Sequence, residues 1–191
     1  PESYGGYVSC VKVEGNLAVY RGETAGVYPR HMQMQEVSRV LVTDGLGFWL
    51  FADIFNSQKS HIYSVICNTD PLPCPQEKGY RYPMETGDIR YQVFSSAPTE
   101  TRQYEQQVVS VMTTHTLSTD SQTPQTSQVF FECFTFAGSE AKVCCQQGML
   151  HLEWNGNVYK LTVGEYDAGV GRSPVRLRVT RDGAETAEYS L

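Results

Sequence analysis

"MLHLEWNGNVYKLTV", residues 149–163, decides the fold class. Apolar and polar residues alternate on both sides of Asn155-Gly156, the dipeptide that supplies the two positive-φ positions of a tight type I′ turn. Counting outward from that turn sets Leu150 opposite Leu161 and Leu152 opposite Tyr159, on one face with Trp154. His151 then faces Lys160, and Glu153 faces Val158, on the other side. One side is core and the other is wet, as expected of an antiparallel hairpin.

The C-terminal "SPVRLRVTRDGAETAEYSL" reads as a second hairpin with two candidate registers. A two-residue loop at Asp182-Gly183 places Leu177 opposite Glu188, a carboxylate on the apolar side. A three-residue loop, Asp182 to Ala184, instead pairs Val179 with Ala187, Leu177 with Tyr189 and Val175 with Leu191. That register also sets Arg178 opposite Glu188 and Arg181 opposite Glu185. A one-residue slip would turn a whole face around, so the second register is the expected one.

A third stretch, "DGLGFWLFADIF" at residues 44–55, is apolar on both faces if it forms a strand from Leu46 to Phe55. Leu46, Phe48, Leu50, Ala52 and Ile54 share one side; Trp49, Phe51 and Phe55 share the other with Asp53. Asp44-Gly45 reads as the turn that joins it to Val37–Thr43. An antiparallel sheet ordinarily wets one face, so something must cover the second: another sheet layer, a long loop or a partner subunit. A homodimer is the expectation here. A light-scattering mass near 21.4 kDa at tens of micromolar protein would count against it.

Further alternating segments are Tyr7–Val13, Leu17–Arg21, His61–Cys67, Ile89–Phe94, Gln107–Leu117 and Val129–Phe136. The one helix candidate is Pro29–Val40, although "HMQMQEV" within it also alternates. Residues 67–88, with four prolines, and residues 118–127, "STDSQTPQTS", read as long loops. The expectation is an all-β chain: one recognition domain over residues 1–191, a mostly antiparallel β-sandwich or β-barrel with long loops and little helix.

At 191 residues such a domain buries roughly 70% of its unfolded surface and needs no metal or disulfide staple. A net charge of −6 argues against a nucleic-acid partner. No apolar run approaches the roughly 20 residues of a membrane-spanning helix, so membrane insertion is not expected. The chain opens "PESYGGY", as a mature product or an excised domain would. No Asn-x-Ser/Thr acceptor is present, which favours folding outside the secretory pathway.

Sites of chemistry are scarce. His31, His61, His115 and His151 sit in no catalytic frame, and no nucleophile elbow, phosphate loop or zinc helix is present. Cys10, Cys67, Cys74, Cys133, Cys144 and Cys145 lack the paired spacing of a structural zinc site. Neither metal nor cofactor is expected. Cys67 and Cys74 flank a proline-containing segment, for which a loop-closing disulfide is the better special reading. Asp53, Glu132 and Glu153 lie inside apolar strands, where a carboxylate either lines a pocket with a raised pKa or pairs with a nearby Arg.

Binding signals are more numerous. "KGYRYPMETGD" displays Tyr80, Arg81 and Tyr82 in a proline-bounded segment, and Tyr and Arg concentrate at the energetic centres of interfaces. These three are the expected binding residues. The expected function is non-enzymatic recognition of a protein or glycan receptor. One version is host attachment by a surface-displayed, spike-like viral domain, facing the outside of a cell or virion. Two alternatives stand beside it: a lipocalin-like carrier of a small apolar ligand, and a hydrolase whose Asp53, Glu132 and Glu153 converge only in the fold.

Overall fold

The computed structural model describes residues 5–109, 112–136, 138 and 141–191. The first eight strands are β1 (Tyr7–Glu14), β2 (Leu17–Glu23), β3 (Met34–Thr43), β4 (Phe48–His61), β5 (Ser64–Thr69), β6 (Cys74–Gln76), β7 (Gly79–Tyr82) and β8 (Ile89–Ser95). They are followed by β9 (Thr99–Val109), β10 (Met112–Ser121), β11 (Gln125–Phe136), β12 (Lys142–Gln146), β13 (Met149–Trp154), β14 (Asn157–Val163), β15 (Val175–Arg181) and β16 (Ala184–Ser190). They form three sheets, ordered β1-β2-β3-β4-β11-β8-β7-β6, β5-β10-β9 and β12-β13-β14-β15-β16. Every ladder is antiparallel. The architecture is the sandwich; none of the three sheets closes into a barrel.

The β13–β14 hairpin has the expected register, Leu150 on Leu161 and Leu152 on Tyr159. The C-terminal hairpin combines both candidate registers. Asp182 and Gly183, at φ 50° and 80°, form a two-residue turn that pairs Arg181 with Ala184 and Thr180 with Glu185. A bulge then intervenes, and Val179 meets Ala187, Leu177 meets Tyr189, and Arg178 meets Glu188. Thr186 is the extra residue, and its hydroxyl donates to the Val179 carbonyl at 3.2 Å. The expected Arg181–Glu185 pairing is therefore replaced, because one inserted residue satisfies both turn chemistry and the apolar face.

Between the large sheet and the five-stranded sheet lies the main core. Val19, Val42, Leu50 and Cys133 face Leu150, Leu152, Leu161 and Leu177 across it, all nearly inaccessible. The lipocalin-like reading loses its geometry here, since side chains fill the space that a calyx would leave open.

One polar cluster bridges this sandwich. Arg21 is fully buried, and its five N–H groups are all used. Nε donates to Glu23 at 2.8 Å, Nη1 to the backbone oxygens of Ser173 and Leu191 at 2.9 Å each, and Nη2 to Glu36 at 2.7 Å and Ser38 at 3.4 Å. The second oxygen of Glu36 accepts from Asn56, from the Ser173 backbone N–H and from the Ser173 hydroxyl. The strands β2, β3 and β4 are thereby tied to the segment that leads into β15.

The second face of β4 answers the question its sequence posed. The sheet β5-β10-β9 covers part of it, packing Tyr63 and Val65 against Phe130, and Cys67 and Leu117 against Tyr82 and Tyr91. Towards β1 the same face stays open, and Val11, Val13, Tyr20 and Trp49 are exposed.

Several sequence expectations are corrected. Pro29–Val40 is no helix: a single 3₁₀ turn, Arg30–Met32, ends at Gln33 in the left-handed region, and β3 begins at Met34. Tertiary burial of Val40 and Val42 on alternate positions selects the strand reading. Leu46 lies outside β4, 74% exposed, in a turn organised by Asp44, whose Oδ1 accepts the N–H groups of Leu46 and Gly47. Trp154 donates its indole N–H to the other Asp44 oxygen and leaves no room for a side chain at Gly47.

The segment 107–117 contributes to two strands, β9 and β10, joined at residues that lie outside the described ones. Residues 118–127 are largely strand, because Thr119 bonds Thr101, and Ser118 and Arg102 both bond Asp120. Residues 67–88 contain the β6–β7 hairpin. All six cysteines are free. Cys67 is held against β10 and accepts the Tyr82 hydroxyl, whereas Cys74 sits in the large sheet opposite Arg81, and the two are not bridged.

Candidate functional site

Beyond the edge of the five-stranded sheet, β6, β7 and β8 extend the large sheet and expose its sandwich-side face. A groove of about 510 Å³ lies there, lined by Gln76, Lys78, Arg81, Arg90, Gln92 and Phe136, among others. Strand alternation builds it. Arg81 pairs with Arg90 across β7 and β8, which places both guanidinium groups on the groove side. Gly79 brings β7 close to β8: at φ +95°, a Cβ there would stand 2.2 Å from the Tyr91 carbonyl.

The groove is cationic within an acidic chain. Arg81 bonds Asp88 at 2.9 Å, both side chains being partly exposed. Lys78 and Arg90 are exposed and have no ion-pair partner among the described residues. Amides from Gln76 and Gln92 complete a surface able to hold anions and hydroxyls together.

The three residues expected to bind are separated by the fold. Arg81 lines the groove, whereas Tyr80 borders it and pairs with Tyr91, so its ring packs on the reverse face with the Cys67 cluster. Tyr82 does not line it: it is buried at 2% exposure, where burial pushes its phenol up and its hydroxyl meets Cys67. Lys78, Arg90 and Gln92 were missed. Alternation in "IRYQVF" puts Arg90 and Gln92 on one side and Tyr91 on the other, a signal legible once β8 is known to sit beside β7.

On the opposite face of the same strands runs a row of ionisable side chains. Arg39 on β3 holds Asp53 on β4 through two bonds, 2.6 and 2.8 Å, and reaches Glu132 on β11 at 3.3 Å. Tyr91 on β8 donates to the other oxygen of Glu132 at 2.5 Å. Asp53 and Glu132 are almost wholly buried, while half of Arg39 is exposed over the Phe51 ring. Burial, reinforced by the Asp53 carboxylate, pushes Glu132 up to about 8. Asp53 raises Arg39 further above its ordinary range, and burial followed by Glu132 raises Tyr91.

The hydrolase reading is thereby split. The fold unites Asp53 and Glu132, but leaves Glu153 exposed on the five-stranded sheet opposite Lys142 and Val158. Of the histidines, His61 bonds the Met32 carbonyl and His151 lies across from Lys160. Among the described residues no cluster of three or more His, Cys, Asp or Glu is arranged to hold a metal.

Together these features define an antiparallel, layered β domain with a cationic groove at one end of its largest sheet. No protein-family model matches the chain, and no curated protein does. Among solved structures it resembles the heparan sulfate lyase HepC from Pedobacter heparinus, at 13% identity and a TM-score of 0.62, covering 97% of this chain and 28% of that one. It also resembles a heparinase III, the BT4657 gene product, at 10% identity and a TM-score of 0.63, covering 97% of this chain and 27% of that one. At such identities the likeness establishes the fold alone, and this chain spans little more than a quarter of either protein.

Proposed function

We propose that this chain is a carbohydrate-recognition domain whose groove binds an anionic polysaccharide. One observation carries the reading: Lys78 and Arg90, without an ion-pair partner among the described residues, stand beside Arg81 in a concave surface of a chain with net charge −6. Unpaired cations gathered against the overall charge favour an anionic ligand by Coulomb attraction. Gln76 and Gln92 add hydrogen-bonding groups suited to sugar hydroxyls. The resemblance to a domain-sized part of heparan sulfate lyases supports a glycan over a protein ligand. The carboxylate row suits catalysis less well, since its acids are buried and their remaining bonds go to Arg39 and Tyr91.

Affinity electrophoresis and calorimetry with heparin and polygalacturonate, with dextran as the uncharged control, test the reading. Both polyanions are expected to bind, more weakly as salt rises. A charge-assisted hydrogen bond contributes about 1.5–3 kcal/mol, so the combined Lys78→Ala, Arg81→Ala and Arg90→Ala changes should weaken binding at least 100-fold. Equal retention of dextran and the polyanions at low salt would remove the reading.

A further inference from the structure

The groove depends on β8, and β8 has a second side. Arg90 and Gln92 face the groove, while Tyr91 between them faces Glu132 on the reverse of the sheet. Arg39, Asp53, Glu132 and Tyr91 come from β3, β4, β11 and β8, four successive strands of the sheet. Two buried carboxyls share one guanidinium, and its two short bonds both go to Asp53. Glu132 keeps only a 3.3 Å contact to that guanidinium, so the buried carboxyls and Arg39 together are neutral when the pair holds one proton.

Among the described residues, the groups packed around the pair offer no second cation. From β7 and β5 come Tyr82 and Cys67, bonded to each other, and burial raises both. β10 contributes Leu117, and His115 further along β10 turns to Glu105 at 3.8 Å. The row also has a weak side. β3, β4 and β11 are long and central, whereas beyond β8 lie only the four residues of β7 and the three of β6.

We propose that the Asp53–Glu132 pair is a proton-controlled clasp behind the groove: one shared proton keeps β8 seated, and its loss loosens β8 and β7 and lowers ligand affinity. Without the proton, two buried negative charges remain beside one half-exposed guanidinium. Hydrating them requires opening the sheet on its short-stranded side, which carries Arg81, Arg90 and Gln92. This regulation rests on the groove reading for its effect on binding; the loosening itself does not.

The test follows hydrogen–deuterium exchange of peptides spanning β7 and β8 at pH 7 and pH 9, corrected for intrinsic exchange rates. Protection in the wild-type domain should fall at least tenfold, and in Glu132→Gln it should stay level. Heparin affinity should drop at least fivefold over the same range in the wild type alone. If Glu132→Gln does not fold, Tyr91→Phe takes its place, since it cuts the one bond from the pair to β8 and should flatten the step. An equal loss in wild type and variant, or no loss in either, overturns the clasp. Failure to bind heparin at pH 7 would remove the groove reading and leave the exchange result to decide the clasp.

Discussion

Replacing Arg21 by Met should destabilise the domain by about 3–5 kcal/mol, the usual cost of removing one partner from a buried ion pair. Met keeps much of the volume, so the effect reports charge and hydrogen bonding more than a cavity. The guanidinium is fully buried and makes five bonds, two of them to carboxylates. Without it, the Glu36 carboxylate stays buried with only neutral donors from Ser38, Asn56 and Ser173. The Ser173 and Leu191 carbonyls lose their link to the other sheet. Against a typical stability of about 5–15 kcal/mol this is a large share. Urea unfolding measures it directly. A loss below about 1 kcal/mol would mean that the network is hydrated and that the five bonds do not staple the sandwich. Glu36→Gln combined with Arg21→Met should recover part of the loss, because the orphaned charge is then gone.

Glu132→Gln should act in the opposite direction at neutral and alkaline pH. In the folded domain the Glu132 carboxyl is pushed up to about 8, chiefly by burial and then by Asp53. In the unfolded chain it titrates near the ordinary value of about 4.3. Between those two values the folded state binds the extra proton, so stability is greatest below about 4.3 and declines as pH rises towards 8. Above that range both states are ionised and this group adds no further slope. Gln cannot ionise, and its amide can donate towards Asp53 while its oxygen accepts from Tyr91. At pH 8 the variant should therefore melt about 4–8 °C higher, equivalent to roughly 2 kcal/mol for a domain of this size. At pH 4.5 the difference should shrink towards zero. Thermal melts across this pH range supply the comparison, and parallel curves for the two proteins would contradict the assignment.

Much of the fold was legible locally. The β13–β14 register followed from Asn155-Gly156 and a period of two, because a hairpin is decided by neighbours within fifteen residues. The C-terminal hairpin was half legible: both candidate registers occur, and the bulge at Thr186 that reconciles them leaves no compositional trace. β5, β9 and β10 were partly hidden because their strands are polar: Thr119 bonds Thr101 and Asp120 bonds Arg102 across the ladder, and Ser118 bonds Asp120 along the strand. Polar strands look like loops when only hydrophobicity is read.

At the site, the sequence singled out Asp53 and Glu132 as carboxyls in apolar strands, and Tyr80 and Arg81 as surface-binding residues. It did not single out Arg39, Tyr91, Lys78 or Arg90. Arg39 lies 93 residues from Glu132, and only the pairing of β4 with both β3 and β11 brings them together. Tyr80 and Tyr82 share a face by alternation, and the layer carrying Cys67 buries Tyr82 fully and Tyr80 in part, which leaves Arg81 alone of the three on the groove side.

By itself the sequence determined that the chain is antiparallel β, where its clearest hairpins turn, and that both faces of Phe48–Phe55 are apolar. Alternation and turn chemistry are local, and a dozen residues suffice to express them. Only the tertiary structure decided what covers the second face, which carboxyls share Arg39, and which cations stand together at the groove. Those outcomes depend on sheet order, which is set by the packing of strands far apart in the chain and not by any one strand's own pattern.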